Sequence, residues 1–365
     1  MENRRRFILK GATLVAAGAA AATANAPFVH AQQRFQWRMS TTWTPALDVL
    51  QGSAIRLGKT IDEMSGGRLK IQVFAGGELM PPFGCFDACS QGTIEAFMGA
   101  PYYWAGKEPG LQWFSAVPFS LNPQGMMTWY TYGDGLKLWE EAYAAFGLVP
   151  RPGPSTGVQM AGWFRKKINS IADYKGLKMR IPGLGGKIVA AAGGTVVLTP
   201  GGEIYTALER GVIDSTEWVG PHDDMKLGLH NAARYYYYPG WHEPGTTAEF
   251  GFNKKAYDAL PADLKHIIDA ACQSGQIAGL DEYEYKNTLA LQKLKTEFKT
   301  KVEILPLSSA TLKELKKLSD QVLKEESEKS PMAKKTYASV RKFEGQLNDW
   351  RLISEGAYHS QIASA

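Results

Sequence analysis

From Phe35 to Met39, apolar Phe35, Trp37 and Met39 alternate with Gln36 and Arg38, the two-residue period of a strand. Residues 46–64 change to a helical spacing, carried by Leu47, Leu50, Ile55, Leu57 and Ile61 and stopped at Gly66-Gly67. LKIQVFAGG (69–77) predicts a second strand, a helix through Cys85 and Cys89 follows, and TIEAFMGA (93–100) predicts a third strand. That order implies a parallel sheet with helices on its faces. The middle of the chain repeats the grammar. Strands are predicted at GVQMAGWF (157–164), GLKMRIPG (176–183), TVVLTP (195–200) and VIDSTEWVG (212–220), with helices at GGKIVAAAGG and at GGEIYTALERG, the latter stopped by Gly211. TTAEFGFN (246–253) is expected to cross back to the first lobe. From Lys254 the pattern is almost wholly helical, with Pro261 at a first-turn position and one strand-like break at VEILPL (302–307). The amphipathic, charged segments TLKELKKLSDQVLKEESEKS and 332–359 admit two readings: helices strapped across both lobes, or a surface that packs on a second subunit.

The N-terminus, MENRRRFILKGATLVAAGAAAATANA, changes the setting of the fold. Arg4-Arg5 followed by Arg6, Phe7 and Ile8-Leu9-Lys10 fits a twin-arginine export signal, and the Ala/Gly-rich run to Ala26 is too weakly apolar to be a membrane anchor. Pro27 disfavours cleavage after Ala26, so cleavage is expected after Ala31 and the destination is the periplasm. Removal of residues 1–31 lowers the formal charge from +5 to +2, which gives no sign of a nucleic-acid partner. The remaining length exceeds what one core serves, so two lobes are expected. The predicted organisation is 32–156 with 246–285 as lobe I, 157–245 with 286–307 as lobe II, and C-terminal helices at 308–365. The odd count of cysteines, Cys85, Cys89 and Cys272, argues against a disulfide framework. Cys85 and Cys89 share a helix face and read as small buried residues.

Candidate chemistry sits at strand ends, which face the ligand crevice in an open α/β sheet. Arg180 ends KMR, where a guanidinium suits a carboxylate through two parallel hydrogen bonds; an exposed arginine at a strand end is the plainer alternative. Glu217 ends another strand in the same lobe, and Glu243 follows the aromatic-rich turn YYYYPGW. Two buried carboxylates raise each other's pKa unless a cation lies between them, and oxygens around a hard cation satisfy both. The amide of Gln159 would give its oxygen to such a cation. GLGGK (183–187) fails as a phosphate loop, because Ile188 stands where a glycine or Ser/Thr is required. No G-x-S-x-G, H-E-x-x-H or C-x-x-C is present. GPHDD (220–224) reads as a solvated surface turn rather than a metal cluster.

The residues quoted so far, together with GELMPPFGCFDACSQGTIEA, PYYWAGKEP, TGVQMAGWF, GGEIYTALERGVIDSTEWVGP and YYYYPGWHEPG, carry a resemblance. After residue 31 the chain resembles the solute-binding proteins of TRAP (tripartite ATP-independent periplasmic) transporters, and most of all the branch that binds 2-oxo acids such as pyruvate. The resemblance implies a two-lobe, periplasmic-binding-protein-like α/β fold with mixed sheets, hinge strands and long C-terminal helices. It implies a binding protein rather than an enzyme, which closes on a small organic carboxylate and delivers it to a membrane permease. Arg180 would pair with the ligand carboxylate. Gln159, Glu217, Glu243 and the carbonyl of Trp218 would hold a cation, Na+ or alternatively Ca2+, bridged to the ligand. Tyr102, Tyr103 and Trp104, with Thr42 and Trp43, would line the opposite wall, and a homodimer through the C-terminal helices is expected. The sequence departs from the pattern at His242, where another aromatic is expected, at Pro244, and at Trp104, where relatives carry tyrosine; these leave the acid open, with lactate or an aromatic acid as alternatives. The rival class is an exported hydrolase that uses Glu217 and Glu243 as an acid/base pair. Against it stands Arg180, expected to hold both acids ionised.

Overall fold

The computed structural model describes residues 33–362, so the export signal expected at 1–31 lies outside them. The chain runs through β1 (Phe35–Thr41), β2 (Leu69–Phe74), β3 (Ala96–Gly99), β4 (Leu148–Gly157), β5 (Gly162–Phe164), β6 (Lys178–Arg180), β7 (Thr195–Val197), β8 (Ser215–Thr216), β9 (Tyr235–Tyr238), β10 (Thr246–Asn253) and β11 (Glu303–Pro306). These form two sheets, one ordered β2-β1-β3-β10-β4 and the other β11-β9-β5-β8-β6-β7. The expected parallel pairs are present, β1 with β3 and β6 with both β7 and β8. Both sheets are nevertheless mixed. β10 runs antiparallel to β3 and β4, and β5 antiparallel to β8 and β9.

β4 is absent from the sequence expectation because Pro150, Pro152 and Pro154 alternate through it. Proline cannot donate to a ladder and is confined to edge strands, and β4 is the edge of its sheet, with Pro150 and Pro152 opposite Gly251 and Glu249 of β10. The segment expected as one strand over 157–164 divides: Gly157 ends β4, and β5 begins only at Gly162. The tyrosine run expected as a turn is strand β9.

Each sheet has its own core. Trp113, Phe114, Trp129, Trp139 and Tyr143 fill one, and Phe164, Ile181, Ile188 and Tyr237 the other. The helix Ala262–Thr296, about 52 Å long at 1.5 Å per residue, packs on β4 and the helix Leu50–Met64 and also on the helix Pro221–Lys226. It runs unbroken through 285–286, where the first lobe was expected to give way to the second. The helix Ser309–Ser327 gives Leu315 and Val322 to the second core and Leu323 to the first, and the helix Pro331–Ile353 gives Ala333 and Val340 to the first. These helices strap both cores, one of the two readings the pattern admits. No helix of the described residues is long and apolar enough to cross a membrane.

Two short segments carry the chain between the sheets: 158–161, from β4 to β5, and 239–245, from β9 back to β10. They are laced together. Gly240 N donates to Gln159 O at 2.9 Å and Gln159 N donates to Glu243 O at 3.2 Å. A Cβ at position 240 would lie 2.1 Å from the Gln159 carbonyl oxygen, so only glycine permits this approach. Gly240→Ala is expected to force the crossings apart and to lower the thermal midpoint together with ligand affinity; a variant matching the native protein in both, by thermal denaturation and calorimetry, would contradict this.

Candidate functional site

The C-terminal ends of β1, β3, β6 and β8 converge on a small cavity. Trp43, Ala100, Tyr102 and Tyr103 line it from the first sheet's side, with Thr156 and Thr246 at the ends of β4 and β10; Gln159, Arg180, Trp218 and Val219 line it from the other. Of the two crossing segments, the first contributes Gln159 to the lining and the second carries Glu243, buried beside it. The register of β10 against β4 is irregular between Thr246 and Glu249, which is where a bulge would re-aim side chains toward such a site.

Arg180 is the centre of the site. It is fully buried, and its Nη1 donates to Glu217 Oε1 at 2.7 Å and to the Glu217 carbonyl at 3.3 Å, while Nε donates to Thr199 O at 3.2 Å. Its guanidinium stacks over the Trp218 ring at 5.0 Å. Nη2 is buried and makes no hydrogen bond. Thr199 and Glu217 hold Nε and Nη1, and the Tyr103 hydroxyl lies beside the guanidinium, so Nη2 is the donor of the fork left for an incoming carboxylate.

Around Glu217 the acids gather. Its Oε2 lies 3.2 Å from His242 Nε2, and ligand atoms of Glu217, His242 and Glu243 all fall within 4.8 Å of one another. Thr246 Oγ1 donates to Glu243 Oε2 at 2.5 Å. Gln159 Nε2 donates to Thr156 Oγ1 at 3.0 Å, which leaves its Oε1 buried without a partner. Burial pushes the Glu217 carboxyl up to about 7 against the pull of Arg180, and burial together with Glu217 pushes Glu243 up to about 8. The expectation that Arg180 keeps both acids ionised is thus corrected: one guanidinium does not offset the desolvation of two carboxylates. His242 is pushed down to about 4 by burial, with Arg180 acting in the same direction.

These shifts fix a sign. Carboxyls raised in the folded state hold protons that the unfolded chain has already lost, so stability falls as pH rises from the ordinary carboxylate range through about 8. Metal-stripped protein is expected to melt at a lower temperature at about pH 8.5 than at about pH 5.5; scanning calorimetry showing the reverse order would contradict it.

Not every expected residue is here. Tyr102, Tyr103, Gln159, Arg180 and Trp218 line the cavity, and Glu217 and Glu243 are buried beside it. Trp104 does not line it. Its indole is turned into the first core, where Nε1 donates to buried Glu249 at 2.5 Å. Thr42 is buried but outside the lining, its amide donating to Met98 O in continuation of the β1–β3 ladder. GPHDD is not a surface turn. It is the start of the helix Pro221–Lys226, with Asp223 and Asp224 fully buried. Asp224 accepts from Trp163 Nε1 at 2.9 Å, Tyr236 Oη at 2.7 Å and Val219 N at 3.1 Å; Asp223 accepts from Tyr283 Oη at 2.7 Å and Trp218 Nε1 at 3.3 Å. The pair anchors the Glu217–Val219 segment to its own sheet and to the long helix. Sequence reasoning assigned no role to Thr156, Thr246 or His242; the spacing of Thr246 three residues after Glu243 was the available signal for one of them.

Residues 39–330 match the family described as bacterial extracellular solute-binding protein, family 7. The chain belongs to this family. A monocarboxylate 2-oxoacid-binding periplasmic protein of Nostoc is 40% identical over 330 residues, covering 90% of this chain and 90% of the relative. A TRAP solute-binding protein of Bordetella bronchiseptica, solved as a mixed-occupancy dimer with copurified calcium and picolinate, is 36% identical with a TM-score of 0.88, covering 91% of this chain and 98% of that one. One from Pseudoalteromonas atlantica, with bound sodium and pyruvate, is 36% identical with a TM-score of 0.87, covering 90% of this chain and 100% of that one. The two-lobe fold is that of these TRAP solute-binding proteins, and the family 7 protein is a receptor, not an enzyme. The hydrolase reading falls with that assignment.

Proposed function

We propose that this receptor captures a small 2-oxo monocarboxylate of the pyruvate type, through Arg180 and a bound Na+ or Ca2+, and delivers it to the membrane permease of a TRAP transporter. The observation that carries the reading is the pair of unsatisfied atoms on either side of the buried acids: Gln159 Oε1, an acceptor suited to a cation, and Arg180 Nη2, a donor suited to an anion. Glu217, Glu243 and Gln159 offer hard oxygens, and Trp218 adds its carbonyl, the ligand type that Na+ and Ca2+ favour. A cation would balance the second carboxylate, which Arg180 alone does not. Pyruvate and picolinate, held by the two structural relatives, both place a second donor atom one carbon from a carboxylate, so both close a small chelate ring on a metal. The aromatic walls of Trp43, Tyr102, Tyr103 and Trp218 keep an aromatic acid as the second reading. Closure of the lobes over the ligand is a population shift that the ligand stabilises.

The protein works in the periplasm and reaches it by the twin-arginine signal. A homodimer forms through the C-terminal helices: beyond the strapped portion, Trp350, Leu352, Ile353, Tyr358 and Ile362 are exposed, Ile353 to 73%, a run of apolar surface that a partner would cover. Mass spectrometry of the acid released from freshly purified protein, alongside elemental analysis, tests the reading. A 2-oxo acid with sodium or calcium supports it; a bulky aromatic acid selects the second reading, and a sugar or amine overturns both.

A further inference from the structure

We propose that His242 is a positioning residue of the cation site, holding Glu217 in place through Nε2–H; this rests on the cation reading above. The side chain is buried beside Glu243, and its Nε2 lies 3.2 Å from Glu217 Oε2. The other oxygen of Glu217 takes Arg180 Nη1 at 2.7 Å. Each carboxylate oxygen thus has one fixed donor, Arg180 on one side and His242 on the other, and the plane of the carboxylate is pinned between them. Each oxygen keeps a second lone-pair direction for a cation.

The partners of the ring decide between a donor and a metal ligand. A metal-bound imidazole normally donates its other N–H to a carboxylate or carbonyl, which fixes its tautomer. His242 Nδ1 is buried with no partner, so a proton there would be stranded, and the proton belongs on Nε2, where Glu217 accepts it. The residue is packed closely on two sides. A Cβ at Gly185, in the helix Gly183–Ala191, would lie 2.8 Å from His242 Cβ, and Trp241 meets the imidazole edge-on at 5.4 Å. A hydrocarbon ring at this position would fill the space and leave Glu217 Oε2 without its donor.

The test is calorimetric titration of calcium chloride into metal-stripped native protein, His242→Phe and His242→Gln, each checked for folding by thermal denaturation. Phenylalanine is expected to weaken calcium binding by about 10- to 100-fold, the usual cost of losing a group that orients a metal ligand. Glutamine, which keeps an N–H donor, is expected to recover most of that loss. Equal affinity in native protein and His242→Phe, or an equal loss in both variants, overturns the proposal while leaving the cation reading intact. Absence of cation binding in the native protein overturns both. A measurement free of variant folding is the nitrogen-15 spectrum of the native protein, where His242 is expected to carry a proton on Nε2 with and without calcium. A bare Nε2 with the proton on Nδ1 overturns the proposal, because the imidazole would then face the cation as a ligand.

Discussion

Replacing Arg180 by alanine is expected to weaken pyruvate binding by about 30-fold to a few thousand-fold, as read by calorimetry. The range is that of truncating one member of a buried, hydrogen-bonded charge pair, roughly 2–5 kcal/mol. Much of it comes from what the truncation leaves behind. Glu217 loses its 2.7 Å partner inside a fully buried site, Thr199 O loses its donor, and the ligand carboxylate loses Nη2. Arg180→Lys is expected to recover little, because one ammonium on a flexible stem does not reproduce three donors aimed at Thr199, Glu217 and the ligand. Undiminished affinity in Arg180→Ala would remove the arginine from the mechanism.

Glu243→Gln is expected to separate folding from function. The native carboxyl is pushed up to about 8 by burial and by Glu217, so at neutral pH the metal-stripped protein carries an acid that resists ionisation. The amide keeps the shape, can still accept from Thr246, and takes away the charge. In the absence of cations the variant is expected to melt at or above the native temperature at about pH 8, where the native acid is closest to ionising. Cation affinity should fall about 100-fold or more, the factor that corresponds to ~3 kcal/mol for breaking a buried charge pairing. The native protein should therefore gain far more thermal stability from added calcium than the variant does. Equal gains would mean that Glu243 does not hold the cation.

Local pattern made much of this architecture readable. TTAEFGFN coincides with β10 residue for residue, and GGEIYTALERG starts with the helix Gly201–Glu209 and runs two residues past its end. Arg180 and Glu217 were found because strand ends announce themselves through the break of an apolar run, and those ends do converge on the cavity. What escaped was set by tertiary context. The prolines of β4 read as a strand breaker until the strand is known to lie at a sheet edge. The four tyrosines of β9 carry no alternation, because Tyr236 stacks on Trp163 at 4.0 Å on one face while Tyr237 enters the second core on the other. Asp223 and Asp224 look like solvated charge, since nothing local reveals that Trp163, Tyr236 and Tyr283, up to 61 residues away, supply their donors. Trp104 and Tyr103 are neighbours with opposite destinations, one toward Glu249 and one toward the cavity, and adjacency in sequence does not say which. His242 is visible in the sequence only as a departure, and its use depends on Glu217, just past β8, lying within hydrogen-bond reach of the second crossing segment.

On the proposed reading, a cation and Arg180 together hold the carboxylate. Its most direct test is calorimetric titration of pyruvate into the native protein, first stripped of sodium and calcium and then with either restored. Binding of one equivalent only when a cation is present is the expected result. Pyruvate binding of the same affinity in the stripped protein would contradict it.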